Sequence, residues 1–238
     1  MGKERDRLIR RYGGVPVSEE GLSDEELMAR RLEHYRNQGR LPPEIEALRA
    51  GQGVWVVGYG TLLSRSSLSS TVGEGVEGLD LEPVVVRGYR RVFNLRPSHY
   101  EPSYRLTEEP TEMGAMNVQE ADGAFFNGLR FRVSPEALGE LDERERYYDR
   151  REVDVEAFPD GPSLGPAFVY SAGPSSPWVV DDLSELRPHW RDIVLARQGA
   201  YAVSRAFGRM FDETTYLAGG RELVIHEYRE HLPDPTAA

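Results

Sequence analysis

The chain has no cysteine among its 238 residues, so disulfides, thiolate metal sites and cysteine nucleophiles are all excluded. Lysine is nearly as scarce: Lys3 is the sole example, and the arginine that carries the remaining positive charge reads as codon usage of a GC-rich genome. Positive charge is itself in deficit, with 29 basic against 40 acidic residues and a net charge of −11. Nucleic-acid binding depends on clustered positive charge, so a partner held by its phosphates is not expected. No stretch approaches the roughly 18 consecutive apolar residues of a membrane span, and the charged start, "MGKERDRLIRRYGG", carries no apolar signal core. The expectation is a soluble, cytoplasmic protein with no membrane association. A Walker A sequence is also missing. Gly58-Tyr59-Gly60 could open a dinucleotide fingerprint, but Leu63 stands where its third glycine is required.

What is present divides the chain into three. Ser23-Asp24-Glu25-Glu26 is a capping-box pattern, and Met28, Leu32 and Tyr35 follow at helical spacing as far as Gly39, which predicts a helix over 24–38. A short second helix, "EIEALRA", follows Pro42-Pro43 and ends at Gly51. Residues 1–52 therefore read as a helical extension, 53–215 as the main domain and 216–238 as a C-terminal tail. From Val54 onward the texture changes to short extended runs between turn residues: "VWVV", "PVVVRGYRRVFNL", "MGAMNVQE", "GAFFNGLRFRV", "REVDVEAF" and "GPAFVYSA". Two helices interrupt them, one from about Pro135 to Tyr147 and one from about Arg197 to Phe211. Strands outnumber helices without a regular βαβ alternation. The fold class expected is α+β, a small mixed, barrel-like and mostly antiparallel sheet with a few helices, preceded by the helical extension.

Several motif matches fail on context. "GPSLG", Gly161 to Gly165, has the spacing of a nucleophile elbow, but prolines on both sides make it a hairpin connection. In "HEYREH", His226 and His231 stand five apart, about 140° around a helix, whereas a zinc pair needs one face at spacing four. His34, His99 and His189 have no partners at ligand spacing, so no metal is expected.

Two features carry chemistry. In "VWVVGYGTLL" a buried-looking strand ends on glycines, so bare N–H groups at its end suit an anion or a developing oxyanion; a tight turn needing glycine is the bland equivalent. The second is "SPEALGELDERERYYDRREV". Ser134 is a good N-cap and Pro135 fits the first helical position. At 100° per residue from Leu138, Leu141 falls at about −60°, Glu145 at about −20° and Tyr148 at about −80°, so Glu145 lies inside the apolar stripe. Glu140, Glu143, Arg144 and Arg146 read as solvent-facing, and Asp142 as a structural group at the stripe's edge. A carboxylate aimed at the core is either a satisfied structural group or a tuned acid/base.

Together these segments resemble the gamma-glutamylcyclotransferase family, whose members carry a strand followed by Y-G-S-(L/N) and, later, an L-D-x-x-E helix. Here they stand as "GYGTLL" and "LDERERYYDRREV", and "PVVVRGYRRVFN" and "PHWRDIVLARQGA" are similar to further family segments, so the resemblance covers about Val54 to Phe211. Thr61 stands where serine is usual, and Arg146 where many members have glycine. The resemblance implies a cofactor-independent acyltransferase that turns a gamma-glutamyl amine or amide into 5-oxoproline and a free amine. It implies Glu145 as general acid/base, Gly58, Tyr59, Gly60, Thr61 and Leu62 as the loop that holds the substrate, and Trp190 as the aromatic that closes on it. The alternative is a non-catalytic binding or interaction module of the same fold, with residues 1–52 docking a partner.

Overall fold

The apolar run Val54–Gly58 forms β1 in the computed structural model, which describes residues 53–72, 80–95, 113–145, 148–174, 176, 179–180, 186–218, 222–228, 230 and 232–234. The two helices expected before Gly51 lie outside the described residues, as do His34, His99, Arg146 and His231. After β1 come a 3₁₀ turn (Thr61–Leu63), α1 (Arg65–Val72), β2 (Glu82–Leu95), β3 (Met113–Val133), α2 (Pro135–Arg144), β4 (Asp149–Ala157) and β5 (Ser163–Ser171). A short β6 (Arg187–Pro188) leads to α3 (Trp190–Val203) and α4 (Arg205–Glu213), and β7 (Thr215–Leu217) and α5 (Val224–Tyr228) follow.

The sheet closes on itself. β1 pairs antiparallel with β3, from Val54 opposite Val133 to Gly58 opposite Leu129, and parallel with β5 at Val56 opposite Phe168. β5 and β4 form a hairpin, β4 pairs with β2, and β2 returns antiparallel to β3. The ring β3-β1-β5-β4-β2 is thus complete, with β6 and β7 added parallel to β3 and β2. This is the α+β, mostly antiparallel barrel that the strand texture predicts.

Side-chain alternation assigns the two faces. Val57, Ala167 and Val169 join Val84, Val118 and Val155 in a cluster capped by Ile193 and Ala196 of α3 and by Phe207 and Phe211 of α4. Their neighbours Val56, Phe168 and Tyr170 point the other way, against Leu68 of α1 and Leu138 and Leu141 of α2.

Local chemistry explains where the elements depart from expectation. The runs "MGAMNVQE" and "GAFFNGLRFRV" are one strand, β3, because its ladder with β2 shifts register between Arg87 and Tyr89 rather than ending. Gly88 and Gly123, at φ 79° and 73°, supply the left-handed residues that the bend needs. The helix expected over 197–211 is two helices. Ser204, extended at φ −169° and ψ 161°, breaks it and caps α4 by accepting the Phe207 N–H at 3.1 Å. The helix expected to run to Tyr147 stops at Arg144, with Glu145 as its C-cap. α1, "RSSLSSTV", was not expected, since serine-rich segments favour caps and turns over helix interiors. Ser163 of "GPSLG" opens β5 after the β4–β5 turn and is exposed, as a hairpin connection requires. The segment after 215 contributes β7 and α5, and the Pro233 carbonyl accepts from Arg197 of α3 at 2.9 Å.

Two buried polar groups stitch the ring. Asn117 of β3 uses its whole bonding capacity: Nδ2 donates to Asn94 Oδ1 and the Ala172 carbonyl at 3.0 Å each, and Oδ1 accepts from the Val118 and Ala172 N–H groups at 2.9 Å each. Ser171 adds a bond to the Val118 carbonyl at 2.7 Å, so side chains join β3 to the end of β5. Asn117→Ala should cost on the order of 3 kcal/mol or more, because it strands buried partners at both strands. A lowered urea midpoint with an unchanged slope is the expected readout. Arg91, fully buried, is the other group. Its guanidinium lies 4.3 Å from the Phe211 ring centroid and donates to Thr215 Oγ1 and to Asn127. Desolvation pushes its pKa down to about 9, so it is still a cation at neutral pH.

Candidate active site

The site forms where β1 ends. Gly58 cannot carry a side chain, since a Cβ there would meet Leu62 Cβ at 2.8 Å; the chain folds tightly back into the 3₁₀ turn. Tyr59 goes inward, packs edge-on against Phe126 and donates its hydroxyl to the Tyr170 carbonyl at 2.7 Å. Gly60 caps the turn, and its Leu63 N–H bond closes it at 3.0 Å. A Cβ on Gly60 would meet Met116 Sδ at 3.4 Å, so that face looks onto β3. Leu62 is buried beneath, in the cluster with Leu138 and Leu141, while Thr61 is half-buried.

The end of α2 arrives at the same place. Ser134 accepts the Ala137 N–H at 3.3 Å to start that helix, and the Glu145 N–H closes it on the Leu141 carbonyl at 2.8 Å. Arg144 then reaches back along α1. Its Nη2 donates to Thr61 Oγ1 at 2.8 Å and to Ser67 Oγ at 3.0 Å, and its Nη1 donates to the Ser67 carbonyl at 3.1 Å. Its Nε lies 3.1 Å from Glu145 Oε1. Arg144 therefore links Thr61 to Glu145, and the expectation that it faces solvent is corrected: a long side chain at a helix end can fold back over the neighbouring helix, which a helical projection does not show.

Glu145 is largely desolvated, with 16 % of its side chain exposed. Burial pushes its pKa above the ordinary carboxylate value; Arg144 opposes this, and Asp192 in the first turn of α3 adds to it. Tyr59 is raised well above its usual value by burial and then by the Glu145 charge. Tyr148 donates to the Met116 carbonyl at 2.6 Å and its N–H bonds the Glu145 carbonyl at 2.9 Å, fixing the chain beyond α2. Asp142 accepts from Tyr170 at 2.8 Å and lies 3.0 Å from Arg150, a structural arrangement.

The structure thus brings Tyr59, Thr61 and Glu145 together, with Gly58, Gly60 and Leu62 shaping the turn. Trp190 is the first residue of α3, two positions before Asp192. Sequence reasoning took Arg144 for a solvent-facing charge and Tyr148 only for a position on the helical projection, passed over Asp192, and treated His189 only as a lone histidine. His189 is buried, with Nδ1 3.1 Å from Asp192 Oδ1, and the spacing of three in "HWRD" was the signal available for that pair. Among the described residues no group of three or more potential ligands could hold a metal ion, and no helix is long and apolar enough to cross a membrane.

Comparison with known proteins adds a family and a fold. Residues 56–191 match the family described as "Gamma-glutamyl cyclotransferase, AIG2-like", a span that holds Gly58 to Leu62, Glu145 and Trp190. No curated protein matches the sequence. Among solved structures, YkqA from Bacillus subtilis aligns with a TM-score of 0.53 at 18 % identity, covering 83 % of this chain. This chain spans 62 % of YkqA's length. A structure named gamma-glutamyl cyclotransferase aligns with a TM-score of 0.47 at 11 % identity, over 69 % of this chain and 89 % of the other. A gamma-glutamyl cyclotransferase specific to glutathione from yeast aligns with a TM-score of 0.42 at 14 % identity, over 62 % of this chain and 77 % of the other.

Proposed function

Because the chain belongs to the gamma-glutamyl cyclotransferase, AIG2-like family, we propose that it converts a gamma-glutamyl amine or amide into 5-oxoproline and the free amine. The nucleophile comes with the substrate: its α-amine attacks its own γ-carbonyl, forming the ring C–N bond as the original γ C–N bond breaks. The α-ammonium loses two protons in becoming the ring N–H: Glu145 takes one before attack and the other as the ring bond forms, and passes each to the departing nitrogen, which leaves as its ammonium, so atoms and charge balance with no co-reactant. The N–H groups of Thr61 and Leu62, which open the 3₁₀ turn with no preceding helical carbonyl to bond, hold the carbonyl oxygen as it becomes anionic. Trp190 closes on the substrate from the start of α3.

So small a set of groups is sufficient. Well-oriented intramolecular attack gains about 7–11 kcal/mol. A placed acid/base adds roughly 10²–10⁴-fold, and an oxyanion donor about 10²–10³-fold. The observation that carries the reading is the desolvated Glu145 carboxylate tied through Arg144 to Thr61, 83 residues away from Arg144 in sequence.

The test is release of 5-oxoproline by the purified protein from a panel of gamma-glutamyl amines and dipeptides. Product from at least one member is the expected result, and the amine released with it defines the substrate. No product from any member would overturn the reading in favour of a non-catalytic binding module.

A further inference from the structure

A base that must take a proton from an ammonium has to be ionised before the substrate arrives, and the surroundings of Glu145 work against that. Tyr59 at the end of β1 and Tyr170 on β5 lie near enough to sense its charge, and both are themselves neutral and buried. From α3, Asp192 adds a like charge, with His189 beside it. Arg144, at the end of α2, is the cation that faces Glu145. The same guanidinium holds Thr61 Oγ1 and both the carbonyl and hydroxyl of Ser67. A planar fork with fixed donor directions can hold these three groups and a carboxylate at once, which a lysine ammonium cannot do in the same geometry.

Resting on the proposed role of Glu145, we infer that Arg144 is a positioning residue: it keeps the Glu145 carboxylate ionised for proton uptake and fixes the substrate loop at Thr61 relative to it. Two separable functions follow. The charge governs when Glu145 is ready; the fork governs where Thr61 sits.

The experiment follows the Glu145 carboxyl directly, by carbon-13 NMR titration of the full chain labelled at glutamate, in the parent and in Arg144→Gln, Arg144→Lys and Asp192→Asn. Glu145→Gln identifies the resonance. In Arg144→Gln the carboxyl is expected to titrate about 1 pH unit or more above the parent, since an opposite charge at this range is worth that much. Asp192→Asn should move it the other way. Arg144→Lys keeps the charge, so its titration should stay near the parental one while KM rises through the loosened loop. The acidic limb of kcat/KM should follow the titration in each active variant, moving to higher pH in Arg144→Gln and recovering above it.

A merely structural Arg144 would lower the melting temperature and leave the titration in place. Titration of Glu145 in Arg144→Gln within a few tenths of the parental pH would overturn the inference. Should Arg144→Gln not fold, Arg144→Lys decides: a parental titration with a raised KM supports the inference, and an unchanged KM overturns it. The titration needs no turnover, so a parent inactive on the whole panel would sink the proposed activity and leave the electrostatic role of Arg144 to be judged separately.

Discussion

Glu145→Gln is expected to lower turnover by roughly 10²-fold or more and to leave the protein at least as stable as its parent. Glutamine keeps the shape and hydrogen-bonding ability of the side chain but cannot carry a proton from one nitrogen to another. The stability half follows from the direction of the Glu145 pKa. A carboxyl whose folded pKa is raised binds its proton more tightly in the fold than in the unfolded chain, so its contribution to stability falls as pH rises from about 4.5 through the folded pKa. At neutral pH the ionised Glu145 therefore weakens the fold, and glutamine removes that penalty. Melting curves should show the variant level with or above the parent at neutral pH, the difference vanishing at a pH low enough to protonate the parent's Glu145 carboxyl in both its folded and unfolded states. Were Glu145 structural, the pattern would invert, since breaking a favourable buried pair costs about 3–5 kcal/mol. A variant that melts early yet turns over at the parental rate per folded molecule would refute the catalytic assignment.

The second large effect is expected at Gly199, in the middle of α3 and outside the proposed catalytic groups. A Cβ there would lie 2.5 Å from both C and O of Leu63 and 2.7 Å from the Ser64 nitrogen. All three atoms belong to backbone that ends the 3₁₀ turn, so no side chain can swing aside. Gly199→Ala gains about 0.5–1 kcal/mol of intrinsic helix preference but incurs an overpacking cost of about 1–3 kcal/mol or more, and the second term should win. The melting temperature is expected to drop by several degrees. Because the strain falls between α3 and the proposed substrate loop, KM should rise even in molecules that remain folded. A Gly199→Ala protein more stable than its parent would show that helix preference outweighs the close approach and that α3 does not brace the loop.

How much of this was legible in the sequence depends on the range of the interaction responsible. The first strand and its glycine-bearing end, the Ser134 cap with Pro135, and the anomaly of Glu145 all rest on patterns within a dozen residues, and each was readable. The closing of the sheet into a barrel could be inferred only as a class, because the pairing of β1 with β3 and β5 is set by contacts far along the chain. The length of β3 was hidden by a register shift that imitates a turn. The split of α3 from α4 was hidden because Ser204 sits inside a run whose apolar spacing continues past it. Arg144 was misread because its role depends on the reach of a flexible side chain across to α1, and no periodicity encodes that. Asp192 was overlooked because the helix that carries it was expected to begin only at about Arg197, five residues beyond it.

The closed ring also sets a timetable. Tyr59 and the Tyr170 carbonyl it bonds are 111 positions apart, and the parallel neighbour of β1 is supplied only by β5. During synthesis β1 leaves the ribosome long before that strand exists, with one edge unpaired and its apolar residues uncovered, the condition in which strands misassociate. Contacts of such separation are among the slowest to form, since the intervening chain must be ordered before they can contribute. The Thr61 loop and the helix that carries Glu145 share this dependence through Tyr170 of β5, whose carbonyl holds the Tyr59 hydroxyl and whose own hydroxyl donates to Asp142 of α2. On the proposed reading, a chain clipped before Ser163 holds every residue of the substrate loop and the acid/base and yet lacks the strand to which both are fastened.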